Sequence, residues 1–221
     1  MHDILRKQPE ETQKSRAWAF GLGLTVFISI IMILGSGGGD ADTSMIITID
    51  PKILLAGQGI FSILLFIGVP AIFVALALRI SFLEFFPKIS LMTMGMTILI
   101  SISFMVVNSA VGEWNMSLDF GNSDFAEWAR RSEDQLKVVT EYITSFQSTT
   151  HFILAIVVVA IIPAIGEELL FRGLIQSCFV RAFSNHHLAI WITGFIFAAI
   201  HMQFFGVVPR MLLGVLFGYL Y

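Results

Sequence analysis

HFILAIVVVAIIPAIGEELLFRG, residues 151–173, decides the fold. From His151 to Gly166 it is almost wholly apolar, like the middle of a helix crossing a bilayer, which takes about 20 such residues. It then runs into Glu167, Glu168 and Arg172. An ionisable group at the centre of a membrane helix costs about 2.5–3.5 kcal/mol on insertion scales, so charges kept there need a partner or a purpose.

The rest of the chain agrees with a membrane setting. Of 221 residues, 56% are hydrophobic and 13% charged, and the mean hydropathy is +0.83. A water-soluble domain carries about a quarter charged residues. The composition predicts an all-α, polytopic helical membrane bundle with the lipid bilayer as its main surroundings. The net charge of −3 and the lack of a basic block argue against nucleic acid as a partner. The one cysteine, Cys178, excludes an intramolecular disulfide framework and is expected to pack as a small apolar side chain.

About six spans are visible. The first is expected over Ala17–Gly35, retained rather than cleaved, and ends at GSGGGDADTS; the second covers Ile53–Leu78 with a kink at Pro70. A link, RISFLEFFPK, leads to the third over Ile89–Val111. Residues 112–150 are the longest polar segment. Asp124, with Glu127 three residues on, is expected to start a helix there. Phe125, Trp128, Leu136, Val139, Ile143 and Phe146 recur at mostly helical spacing, which predicts an amphipathic helix at the membrane interface or an ordinary connector. The fourth span is expected over His151–Phe179 and the fifth over Leu188–Phe205. Val207–Tyr221 is too short for a full crossing and is expected to be an incomplete sixth span. Residues 1–150 thus hold the N-terminal spans and interfacial helix, and 151–221 the charged motifs. With the N-terminus inside, inner segments hold eight Lys and Arg, and outer segments, Arg210 among them, hold five. That balance points to a cytoplasmic N-terminus in a multi-pass protein.

Glu168 and Arg172 stand at i and i+4 with the acid first, the favourable order for a helix pair. Glu167 is about 100° away around an α-helix and is left for another partner. The link RAFSNHH is short, so the fourth and fifth helices run antiparallel. Measured from a turn near Ser184 and Asn185, Glu167 and His201 both lie about 25 Å along their helices. A carboxylate and an imidazole at one depth can perform general acid–base work on a water, or hold a metal. Catalytic zinc normally takes three protein ligands, however. His151, His186 and His187 are expected to be interfacial or solvated. Each feature also has a bland reading: a structural ion pair for Glu168 and Arg172, a cross-helix polar contact for His201, packing for Phe197.

EELLFR reads as EExxxR and FAAIH, Phe197–His201, as FxxxH, in that order on successive apolar helices. Over His151–Tyr221 this resembles the CPBP family of intramembrane proteases, which includes the Ras-converting CAAX protease and bacterial bacteriocin-processing and immunity (Abi) proteins. The resemblance implies hydrolysis of a peptide bond in a membrane-associated peptide or protein substrate. It makes Glu167 the water-activating acid, His201 its assistant, Glu168 and Arg172 site-ordering residues, and Phe197 a pocket residue. It leaves open a divalent metal such as zinc on Glu167 and His201, or a metal-free Glu/His mechanism. A third family element, a histidine followed four residues later by asparagine or aspartate, would fall beyond Tyr221. A bacterial inner membrane is the expected location. Two other functions fit the residues: a non-catalytic immunity or scaffold protein of the same fold, and a proton-coupled transporter using the buried Glu and His.

Overall fold

The structure is a computed structural model and describes residues 46–73 and 90–221. The expected first span, the GSGGGDADTS turn, the end of the second span and the RISFLEFFPK link lie outside the described residues.

Short polar side chains start the helices, because the first N–H groups of a helix have no partner within it. Helix α1 opens at Pro51–Ile63, where Asp50 accepts from Lys52 N–H at 2.8 Å. It widens through a π-wound turn at Leu64–Gly68 and continues over Val69–Phe73. Helix α2 is Leu91–Met116, with Ser90 accepting from Thr93 N–H. Helix α3 is Asp124–Ile143. Its cap is Ser123, which accepts from Ala126 N–H at 3.2 Å, so Asp124 lies in the first turn instead of capping the helix.

Helix α4 is one rod from Thr149 to Phe183. It passes from α-helix (Thr149–Ala155) to a π-wound stretch (Ile156–Ile161), α-helix again (Ile162–Glu167), a second π-wound stretch (Glu168–Gln176) and a last α-helical stretch (Ser177–Phe183). Pro70 and Pro163 each follow a π-wound stretch closely. Proline offers no N–H and crowds the carbonyl one turn back, and a locally widened helix relieves both problems.

Ser184, in the left-handed region at φ 52°, reverses the chain. Asn185 then caps α5, His186–Ala199, by accepting from Leu188 N–H. Here expectation and structure part: α5 ends at Ala199, not near Phe205, and is about 21 Å long, short of the ~30 Å hydrocarbon core. A turn and a 3₁₀ segment, Phe204–Gly206, lead into α6, Val207–Leu220. His201 sits in that turn.

The result is an all-α membrane bundle. Among the described residues three helices are long and apolar enough to cross a membrane: α1, α2 and α4. In α2, Leu91, Leu99, Met105 and Val106 are all well exposed, an arrangement that water penalises and lipid does not. The amphipathic α3 buries Ala126, Ala129 and Ile143, while Phe125, and Phe146 just beyond its end, remain exposed. One core joins Leu55 of α1 to Ile143, Ala155 and Val158. A second joins Leu170, Phe171, Leu174 and Ile175 of α4 to Phe197 of α5, and Cys178 packs against it as expected. His151 does not behave as an interfacial residue. It is fully buried, its Nε2 lies 2.9 Å from the Ile143 carbonyl, and it locks the corner between α3 and α4.

Helices α5 and α6 approach through glycine. A Cβ on Gly194 would stand 2.8 Å from Val215 Cγ2 and 3.1 Å from the Met211 carbonyl oxygen. Gly214 and Gly218 form a GxxxG face, which lets membrane helices come together closely. Gly194→Ala should therefore destabilise the protein by about 1–3 kcal/mol through overpacking. Gly57→Ala meets nothing within 4 Å and should gain about 0.5–1 kcal/mol from helix propensity. Denaturant unfolding of both variants in mixed micelles measures the pair; equal midpoints would contradict this account of the α5–α6 contact.

Candidate active site

Arg172 organises the site. It is 1% exposed, so its charge must be met by protein. Nη1 donates to Glu168 Oε1 at 3.1 Å and Nη2 donates to the Gly214 carbonyl at 3.2 Å. The guanidinium also lies over the Phe197 ring, 4.9 Å from its centroid, with Phe217 at 5.6 Å. One turn on, Gln176 Nε2 repeats the pattern by donating to the Gly218 carbonyl at 3.0 Å. Positions 172 and 176 of α4 thus reach carbonyls four residues apart on α6, and at the second of them the missing side chain of Gly218 leaves room for Gln176. A Cβ on Gly218 would stand 2.8 Å from Gln176 Oε1.

Glu167 turns away from this pair. Its Oε1 lies 3.9 Å from His201 Nε2, and both side chains are mostly buried. The early end of α5 explains how the histidine is aimed. In a continued α-helix the Phe197 carbonyl would accept from His201 N–H. Instead His201 N–H donates to the Ala198 carbonyl at 3.3 Å. The Phe197 carbonyl is left for the imidazole, whose Nδ1 lies 2.7 Å away. A carbonyl only accepts, so Nδ1 carries the hydrogen. In the neutral ring Nε2 is then a bare acceptor facing the carboxylate. Two acceptors 3.9 Å apart do not bond each other; a donor placed between them would satisfy both.

Beside the pair is a cavity of about 730 Å³ lined by Glu167, Glu168 and Phe197. Val159, Pro163, Leu213 and Phe217 make its walls largely apolar, and Thr93 and Thr97 of α2 add hydroxyls. The structure therefore brings together all five residues singled out in the sequence: Glu167 with His201, Glu168 with Arg172, and Phe197 between them, its ring 5.0 Å from His201 and 5.1 Å from Phe171. His187 instead bonds the Tyr219 hydroxyl at 2.8 Å, away from the cavity lining. As metal donors Glu167 and His201 make two. Among the described residues no cluster of three His, Cys, Asp or Glu stands ready to hold an ion.

Two residues at the site were not foreseen. Arg210, counted in the sequence only as a cation of an outer segment, stands in the first turn of α6 and hydrogen-bonds Gln203 beside His201. Asn115, 1% exposed at the end of α2, reaches the same turn. Contacts across some ninety residues leave no mark in local spacing. Glu133 of α3 also faces Arg210. Burial pushes its carboxyl above the ordinary range, and the guanidinium works against that shift.

The ion pair makes a sharp stability prediction. Glu168→Gln leaves Arg172 buried with no carboxylate and should cost about 2 kcal/mol. This is below the usual value for breaking a buried pair, because Glu168 is 44% exposed. The double variant Glu168→Gln, Arg172→Met removes the stranded charge and should be more stable than Glu168→Gln alone. A double-mutant cycle by micelle unfolding measures the coupling; simple additivity would mean the two groups do not act as a pair.

Comparison with known proteins finds one similarity. No curated protein and no solved structure matches the chain. Residues 149–221 match the family model described as Rce1-like, type II CAAX prenyl endopeptidase Rce1-like. The match covers α4, α5, α6 and both motifs, so this last third of the chain is similar to the CAAX protease (CPBP) family.

Proposed function

We propose that the protein is an intramembrane endopeptidase that hydrolyses a peptide bond of a membrane-associated substrate with a water activated by Glu167. One observation carries this: Glu167 Oε1 and His201 Nε2 face each other at 3.9 Å, and Glu167 opens onto an apolar-walled cavity. A water between two acceptors gives one hydrogen to each and keeps a lone pair for the substrate carbonyl. Glu167 takes the proton as the water oxygen bonds to the carbonyl carbon. The protonated acid then returns that proton to the leaving amine as the C–N bond breaks. His201, held by the Phe197 carbonyl, orients the water throughout. Glu168 and Arg172 fix the helix carrying Glu167 against α6, and Phe197 walls the cavity.

A divalent metal, if the enzyme uses one, would be held by Glu167 and His201 and would polarise the carbonyl. These two donors fall short of the usual three-residue zinc set, so no step above runs through an ion. Residues 1–150 serve as scaffold and interfacial helix, and 151–221 carry the chemistry. The setting proposed is a bacterial inner membrane, with the N-terminus cytoplasmic.

The test is cleavage of a membrane-anchored peptide by the protein in proteoliposomes. Glu167→Gln and His201→Gln should each lower turnover by about 10²–10⁴-fold, the usual range for losing a general acid–base group. Both variants should keep the parent's helical content. Undiminished cleavage in both would overturn the assignment.

A further inference from the structure

The turn carrying His201 is not a conformation that its own sequence favours. Met202, the next residue, has φ 53°. A non-glycine residue in the left-handed region costs about 1–2 kcal/mol and persists only where the surroundings over-determine it. No glycine or proline separates Ala199 from Phe205, so the reversal is imposed by tertiary contacts.

Two side chains supply much of that constraint. Asn115 reaches over from the end of α2. Its Nδ2 donates to the Phe204 carbonyl at 3.3 Å, and its Oδ1 accepts from Val208 N–H at 2.9 Å. One buried amide thus bridges the 3₁₀ segment and the first turn of α6, and serves one of the helix's unpartnered N–H groups. Arg210 acts from the other flank. Its Nη2 donates to the Gln203 side chain. Its guanidinium also lies over Gly206, Nη1 being 3.6 Å from where a Cβ would begin. Gly206 N–H closes the loop onto the Gln203 carbonyl at 3.3 Å. Beyond these, Phe204 is packed between Phe125 and Trp128 of α3, with ring centroids at 5.0 and 5.1 Å.

We propose that Asn115 and Arg210 are positioning residues of the Glu167–His201 pair, holding the 200–206 turn so that the imidazole faces the carboxylate. Neither lies in the EExxxR or FxxxH motif, and Asn115 lies outside the family-matched segment. In its activity arm the inference rests on the protease function proposed above; in its structural arm it does not.

The experiment has both arms and uses the full chain in bicelles. ¹⁵N-histidine labelling reports the tautomer and homogeneity of His201, assigned by the loss of its signals in His201→Gln. Asn115→Leu, similar in size but unable to bond, and Arg210→Met should each shift or multiply the His201 signals. The signals of the other histidines should stay in place. Arg210→Lys, which keeps charge and a donor, should restore the parent signals at least partly. In cleavage assays the two disrupting variants should lose about ten- to a hundredfold in kcat, the scale of a small misplacement of a reacting group, with KM within about twofold of the parent.

An unchanged His201 spectrum in folded Asn115→Leu and Arg210→Met overturns the proposal, as does a change spread over all histidines, which marks general loosening. If Asn115→Leu does not fold, Asn115→Asp, which keeps the acceptor for Val208 N–H and loses the donor to the Phe204 carbonyl, decides in its place. If the parent cleaves nothing, the protease function fails, and the spectrum still decides the positioning.

Discussion

A guanidinium at 1% exposure is the constraint on which the rest of this structure depends. Lipid provides nothing to solvate Arg172, so protein groups meet it: the Glu168 carboxylate, the Gly214 carbonyl and the faces of Phe197 and Phe217. Those contacts come from three helices. They require α6 to approach α4 closely enough for a side chain to reach a helix carbonyl, and they sit beside glycines that let α6 close on α5 at Gly214 and on Gln176 at Gly218. They also require α5 to place Phe197 beneath the charge. Buried ion pairs are weak evidence for stability, and their best-attested use is to fix register. Here the fixed register is that of α4 against the α5–α6 hairpin, on which the approach of Glu167 to His201 depends.

The fourth helix was legible because its signals are local. Apolar length, the order of acid and base, and the Ser184–Asn185 reversal all lie within a few residues of what they determine. Depth matching across that reversal was sufficient to pair Glu167 with His201, even though α5 ends earlier than its hydropathy suggests. The error in the end of α5 cancelled: only Ile200 separates Ala199 from His201, so the chain is still beside Glu167 there. FAAIHMQFF contains nothing that stops a helix, and apolar runs do not announce where a buried helix gives way to a turn. The stop comes from Asn115, 89 residues upstream of Phe204, and from Arg210 behind it.

His151 and Arg210 show the same limit from the polar side. Position along a hydropathy profile puts His151 at a span end and Arg210 near the start of another, and neither position reveals a partner. Yet His151 is sealed by the Ile143 carbonyl, and Arg210 is drawn in by Gln203 and Gly206. The GxxxG pattern in GVLFG was the one available signal that α6 packs tightly.

The spacing of FxxxH gains a physical meaning from where α5 stops. Four residues is the distance at which a helix N–H meets a carbonyl, and also the distance at which a histidine ring can fold back to that carbonyl. In a continuous helix the backbone would hold the Phe197 oxygen, leaving at best a shared bond for the ring. Once the helix tightens after Ala198, His201 N–H shifts to the Ala198 carbonyl and the Phe197 oxygen is released to Nδ1. One phenylalanine therefore does two separable things. Its ring carries Arg172 and walls the cavity, while its carbonyl sets the tautomer that leaves Nε2 open toward Glu167. Any residue can supply a carbonyl, but only an aromatic supplies the cation face. The aromatic in the motif is thus explained by the arginine of the other motif, and the four-residue spacing by the imidazole.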